Sequence, residues 1–137
     1  SELKDRVSKE IIVAMKAKDK IKLNVLRYLK KLFIENETAK KPIDEQDIVI
    51  SHAKKTKDSL EHYPEGENRD VILAELKIMD DYLPKALSKD EVQALIDGIK
   101  SGLEKPNMGL IMKELSSQIK GRFDGKLATE MVKNSLA

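Results

Sequence analysis

Apolar residues recur along this chain at intervals of three and four, and no segment of strand length alternates, so the pattern predicts helices throughout. Leu3, Val7, Ile11, Ala14 and Met15 lie at helical spacing between charged residues and define a first amphipathic helix to about Ala17. Asp19 is placed to cap a second and longest helix, whose stripe runs Leu23, Leu26, Leu29 and Phe33 to Glu37, widened by Val25, Tyr28 and Leu32. Pro42 prevents simple continuation, and Asp44 then caps a third, more polar helix through Ile48, Val49, Ala53 and Leu60, expected at the edge of a bundle. The stretch HYPEGEN, residues 62–68, reads as a turn. A fourth helix carries the seam Ile72, Leu76, Met79, Leu83, and Pro84 is expected to stop it.

The second half opens on the sharpest start signal in the chain. Ser88 with Glu91 three positions on forms a capping box, and Leu87 and Val92 sit where a hydrophobic staple would. The helix so begun presents Val92, Leu95 or Ile96, Ile99 and Leu103, and fades between Gly102 and Pro106. Two shorter helices follow. Asn107 caps one with Met108, Ile111, Met112, Leu115 and Ile119 inward, and Asp124 caps another with Leu127, Met131 and Val132 inward. The predicted architecture is all-α: an N-terminal four-helix subdomain over residues 1–84 and a C-terminal three-helix subdomain over 88–137.

Composition narrows the chemistry. Two Phe, three Tyr and no Trp leave little for base stacking, and the absence of Cys removes disulfides, thiolate nucleophiles and thiolate metal sites. No apolar run approaches membrane-spanning length and nothing resembles a signal peptide, which points to a soluble, cytoplasmic protein without a membrane role. The net charge of +2 is unevenly spread: residues 1–41 carry twelve Lys/Arg against six Asp/Glu, residues 42–87 six against eleven, and residues 88–137 eight against seven. A basic front end attracts nucleic acid or an acidic partner, although lysine-rich helices commonly just present a solvated face.

The stretch IKGRFDGKLATEMV, residues 119–132, interleaves Gly121 and Gly125 with Lys120, Arg122 and Lys126, the ingredients of an anion site. It is not a Walker A loop. Three residues instead of four separate the glycines, Leu127 follows Lys126 where Ser or Thr should stand, and no strand precedes. Gly121 instead falls where a helix end needs positive φ, with Asp124 capping the next helix, so Gly121, Asp124 and Gly125 are read first as a structural turn. His52 and His62 lack any ligand spacing and are read as surface histidines; no metal or cofactor site is expected. Ser116 and Ser117, with Lys113 and Lys120 within a turn, could pair a nucleophile with a base, but no oxyanion nest accompanies them. The methionines Met15, Met79, Met108, Met112 and Met131 are expected to fill core gaps.

Three stretches carry a resemblance: NVLRYLKKLFIENE at 24–37, DDYLPKALSKDEV at 80–92, and NMGLIMKELSSQIKGRFDGKLATEMVKNSLA at 107–137. Together they resemble the YqeY proteins of bacteria, whose last part is similar to the C-terminal tail domain of GatB, a subunit of the glutamine-dependent tRNA amidotransferase. The resemblance covers essentially the whole chain and implies an all-helical protein of two subdomains. In the amidotransferase the tail domain helps hold tRNA, while amide transfer belongs to other parts. A label of carbon–nitrogen ligase with glutamine as amide donor can follow the family through that shared tail, but no amidase, ATP or metal site is visible here, and the chain is expected not to be an enzyme. What the resemblance implies is a tRNA-associated binding protein, with tRNA or a tRNA-bound protein as partner and with Lys113, Lys120, Arg122, Lys126 and Lys133 as phosphate contacts. Such contacts would read shape. The alternative is a helical protein-interaction module attached to translation-related partners without RNA contact of its own.

Overall fold

The computed structural model describes residues 2–137, and every regular element among them is helical. The chain divides into two compact units, one running to Leu83 and the other Pro84–Ala137, each with its own apolar core.

The first unit contains α1 (Glu2–Lys16), α2 (Lys20–Glu37), α3 (Glu45–Asp58) and α4 (Glu67–Asp80), with a 3-10 turn at Ser59–His62. The reversal between α1 and α2 is economical. Lys18 N–H donates to Met15 O at 3.2 Å and Asp19 N–H to Ala14 O at 3.0 Å, the paired bonds of a Schellman motif, with Lys18 in the left-handed region at φ 58°. Asp19 then accepts from Lys22 N–H at 3.1 Å and caps α2. Val7, Leu26, Leu29, Phe33, Val49 and Met79 are fully buried, and α3 adds Ile48 and Ala53 as it packs on α2 and α4. Each such Leu, Phe or Met contributes roughly 1.5–3 kcal/mol of transfer free energy.

Several expectations are corrected in this unit. Met15 is 52% exposed, because each helical step turns about 100° and Ala14, one step earlier, takes the inward position. Tyr28 lies at the rim of the α2 stripe and is 45% exposed. Helix α4 ends at Asp80, four residues before Pro84: the amides of Asp81, Tyr82 and Leu83 bond three residues back, to Ile78, Met79 and Asp80, so the helix tightens to a stop before proline could act. That turn swings Tyr82, outside the predicted seam, into the core. The loop expected at 62–68 is shorter. His62 belongs to the 3-10 turn and Glu67 starts α4, with Gly66 at φ 148° and Arg69 donating to Leu60 O at 2.8 Å and Tyr63 O at 2.9 Å.

The second unit packs α5 (Lys89–Ser101), α6 (Met108–Ile119) and α7 (Gly125–Leu136) against one another. Its core is Val92, Ile96, Ile99, Ile111, Leu115, Ile119, Ala128 and Val132, with Met108, Met112 and Met131 partly buried around it. The capping box is formed in both directions, Glu91 N–H to Ser88 Oγ at 3.1 Å and Ser88 N–H to Glu91 Oε1 at 3.2 Å, and Leu87 packs on the core that holds Val92. Asn107 caps α6 through Leu110 N–H at 2.9 Å. Lys100 Nζ donates to Ser135 O at 2.5 Å, placing a cation on the last carbonyls of α7. Residues 85–87, left between the subdomains by the sequence reading, belong to this unit, as does Pro84, which that reading placed in the first. Arg122 is the reason.

Candidate nucleic-acid interface

Helix α6 stops at Ile119, and the next four residues form a turn whose dihedrals explain its glycine. Lys120 has φ −54° and ψ 122°, Gly121 has φ 70°, and Arg122 N–H donates to Ile119 O at 2.8 Å. These are the angles and the bond of a type II β-turn, which demands positive φ at its third position. Gly121 therefore serves a β-turn between helices instead of a helical C′ cap. Asp124 Oδ1 accepts from Lys126 N–H at 3.1 Å and opens α7. Gly125 differs from Gly121: it is the first residue of α7, its φ is not positive, and a Cβ built on it meets nothing within 4 Å. Its lack of a side chain does not shape the turn.

Arg122 is not a free phosphate contact. Its Nε donates to Lys85 O at 2.9 Å, its Nη1 to Gln118 O at 3.3 Å, and its own carbonyl accepts from Leu87 N–H at 2.8 Å. One residue thus grips both ends of the Lys85–Leu87 segment and the last turn of α6. Its charge is also partly answered. Glu91 is held below the usual carboxylate range first by the Ser88 amide and hydroxyl and then by the charges of Lys85 and Arg122. Nothing in the sequence periodicity marks this clamp, because it joins main-chain oxygens across irregular segments.

The lysines fare differently. Lys113 on α6, Lys120 at its end, and Lys126 and Lys133 on α7 are all exposed. Lys126 and Lys133 are seven residues apart and share a face of α7, but Glu130 stands between them at the same helical spacing. Ser117, the candidate nucleophile, donates its hydroxyl to Glu114 O at 3.0 Å, an ordinary helical back-bond on an exposed surface.

A sequence model of the Yqey-like proteins matches residues 4–136. The chain belongs to the YqeY family. No curated protein matches it.

Elsewhere in this YqeY-family chain, the buried side chains of both cores are hydrophobic, Tyr82 bringing the one hydroxyl among them, and among the described residues no group of three or more His, Asp or Glu could hold a metal ion. Among the described residues no helix is long and apolar enough to cross a membrane. A cleft of about 430 Å³ in the first unit is lined by Glu2, Leu3, Arg6, Asp44, Glu45, Gln46, Tyr82 and Leu83. Its cation and phenol are engaged with their own surroundings. The Arg6 guanidinium lies 4.3 Å from the Tyr82 ring centroid and donates to Asp81 O at 3.0 Å, while Tyr82 hydroxyl donates to Glu10. Of the two histidines, His62 is exposed, but His52 is half-buried, its ring 4.7 Å from that of Tyr28 and tilted by 40°. Burial, followed by the charge of Lys55, lowers its pKa below the ordinary 6.5. Reading His52 as a surface residue missed this pair, because the ten-residue spacing of the histidines says nothing of a neighbour on another helix.

Proposed function

We propose that this YqeY-family protein is a non-catalytic, tRNA-associated binding protein whose second unit, related by its sequence to the tail domain of the tRNA amidotransferase subunit GatB, contributes phosphate contacts. The observation that carries the reading is that Lys113 on α6, Lys120 at its end, and Lys126 and Lys133 on α7 are all exposed, while Arg122 and Gly121 hold the corner between the two helices in shape. The contact would be shape-reading: the unit's one aromatic residue, Phe123, packs against its core and offers no face to a base. The tail-domain resemblance selects tRNA among structured RNAs.

The test is binding of unmodified tRNA to the full chain across a salt series, comparing wild type with a Lys113→Ala/Lys126→Ala/Lys133→Ala variant. Loss of affinity with a salt slope shallower by about two to three is expected, since each phosphate contact adds a little under one. Equal affinities and slopes would remove these lysines from the interface. A protein-interaction role without RNA contact is favoured by one feature, the exposure of Ile12, Val13 and Met15, each more than half open on α1. Recovery of the protein from cells after crosslinking, with and without RNase, separates the two readings.

A further inference from the structure

The largest local excess of positive charge along the sequence lies in the first unit, among residues that the α6–α7 reading does not include. Lys20, Asn24, Arg27 and Lys31 follow one another on α2 at intervals of four, three and four, so they stand in one row, and all four are exposed. The row spans eleven residues, or about 16 Å at the helical rise of 1.5 Å per residue. No carboxylate interrupts it. The acids at its ends are Asp19, whose carboxylate caps the helix, and Glu35, which reaches Lys31 only at 3.9 Å. By contrast, the Lys126–Lys133 pair of the second unit has Glu130 in its midst.

Lys18, just before the row, adds an exposed cation at the Schellman corner that ends α1. One further feature points to a ligand. Tyr28 stands beside the row, 45% exposed, with His52 at 4.7 Å and Lys31 Nζ 5.8 Å from its ring centroid. Lowered by burial, the His52 pKa leaves the imidazole neutral near pH 7, a packing partner that steadies the phenol ring without adding charge.

We propose that Lys18 and the solvent face of α2 from Lys20 to Lys31 bind the phosphate backbone of RNA and stack an unpaired base on Tyr28. Cations hold the backbone and the ring accepts a base of any identity, the division of labour by which single-stranded segments are bound without sequence readout. Cations and a tyrosine also occur in protein interfaces, but an uninterrupted cation row beside a half-open ring matches the pairing of phosphate contacts with base stacking, and the occupant it fits is RNA. This deepens the RNA reading above and rests on it, while assigning the contact to residues that reading does not include.

The experiment uses the full chain and unmodified tRNA, with binding followed by anisotropy over a salt series. Lys20→Ala/Arg27→Ala/Lys31→Ala should weaken binding on the order of 10- to 100-fold near 0.1 M salt and make the salt slope shallower by about two to three. Tyr28→Leu should weaken binding about tenfold with the slope unchanged, and Tyr28→Phe should restore it, which a purely structural role for the hydroxyl would not allow. If wild type binds tRNA and the triple variant matches it in affinity and slope, this inference falls and the α6–α7 reading stands. If wild type binds no tRNA at all, both fall. If the triple variant loses binding but Tyr28→Leu does not, the stacking half of the proposal is overturned.

Discussion

Replacing Arg122 with alanine should destabilise the second unit selectively, although sequence alone counts it among exposed cations. The change removes a 2.9 Å bond to Lys85 O and a 3.3 Å bond to Gln118 O, leaving the Leu87 N–H to Arg122 O bond intact. A hydrogen bond from a charged donor is worth about 1.5–3 kcal/mol; partial exposure and the length of the second bond argue for the low end, so a loss of about 1.5 kcal/mol is expected for the pair. For a unit of this size that corresponds to a fall of roughly 6–12 °C in its melting temperature. The aromatic residues make the assay selective. Tyr28, Tyr63 and Tyr82 all lie in the first unit, so tyrosine fluorescence follows that unit while circular dichroism at 222 nm follows both. Arg122→Ala should shift part of the dichroism transition and leave the fluorescence transition in place. Lys126→Ala, at an exposed position with no side-chain bond, should shift neither by more than about 0.5 kcal/mol. If the two variants unfold alike, the clamp is not stabilising and Arg122 returns to the set of free cations.

Two further outcomes follow from the Gly121 turn and from the half-buried His52 ring. Gly121→Val forces a β-branched residue to φ 70° and should cost the second unit about 2 kcal/mol, whereas Gly125→Ala, in open space at the start of α7, should be neutral or slightly stabilising; equal effects in dichroism melts would refute the turn assignment. Because the His52 pKa is lowered on folding, the unfolded chain binds the extra proton as pH falls through about 6.5, so the first unit should lose stability below that pH and recover it above; His52→Gln should flatten this part of the fluorescence-monitored pH profile, and an unchanged profile would exclude His52 as its source.

What was legible in the sequence, and what was not, divides along physical lines. Caps were legible: Asp19, Asp44, Ser88, Asn107 and Asp124 all accept an amide from their own first turn, because capping is a local bond between residues two or three apart. The core stripes were legible to within one step, and Met15 and Tyr28 show the limit, since a helix rotates enough in one residue to exchange a buried position for an open one. Tyr82 was lost because it follows the end of a helix, where periodicity no longer applies. The candidate site was the least legible part. A list of basic residues does not distinguish Arg122, committed to a carbonyl 37 residues away in sequence, from Lys126, whose side chain makes no such bond.

Net charge has the same weakness as a guide to function, and the first unit shows why. Residues 1–41 are strongly basic and the following forty or so comparably acidic, so any count over the whole unit hides both. Phosphates do not respond to such a count. At 0.1 M salt the screening length is about 10 Å, so a bound phosphate is governed by the charges within about that distance. Along α2 those charges are Lys20, Lys22, Arg27, Lys30 and Lys31, with Asp19 and Glu35 only at the ends. On α7 Lys126 and Lys133 share their neighbourhood with Glu130, so each phosphate brought there meets one carboxylate for two cations. Of the two lysine-bearing surfaces, the one without an interleaved acid should therefore carry the steeper salt dependence, although the family resemblance draws attention to the other.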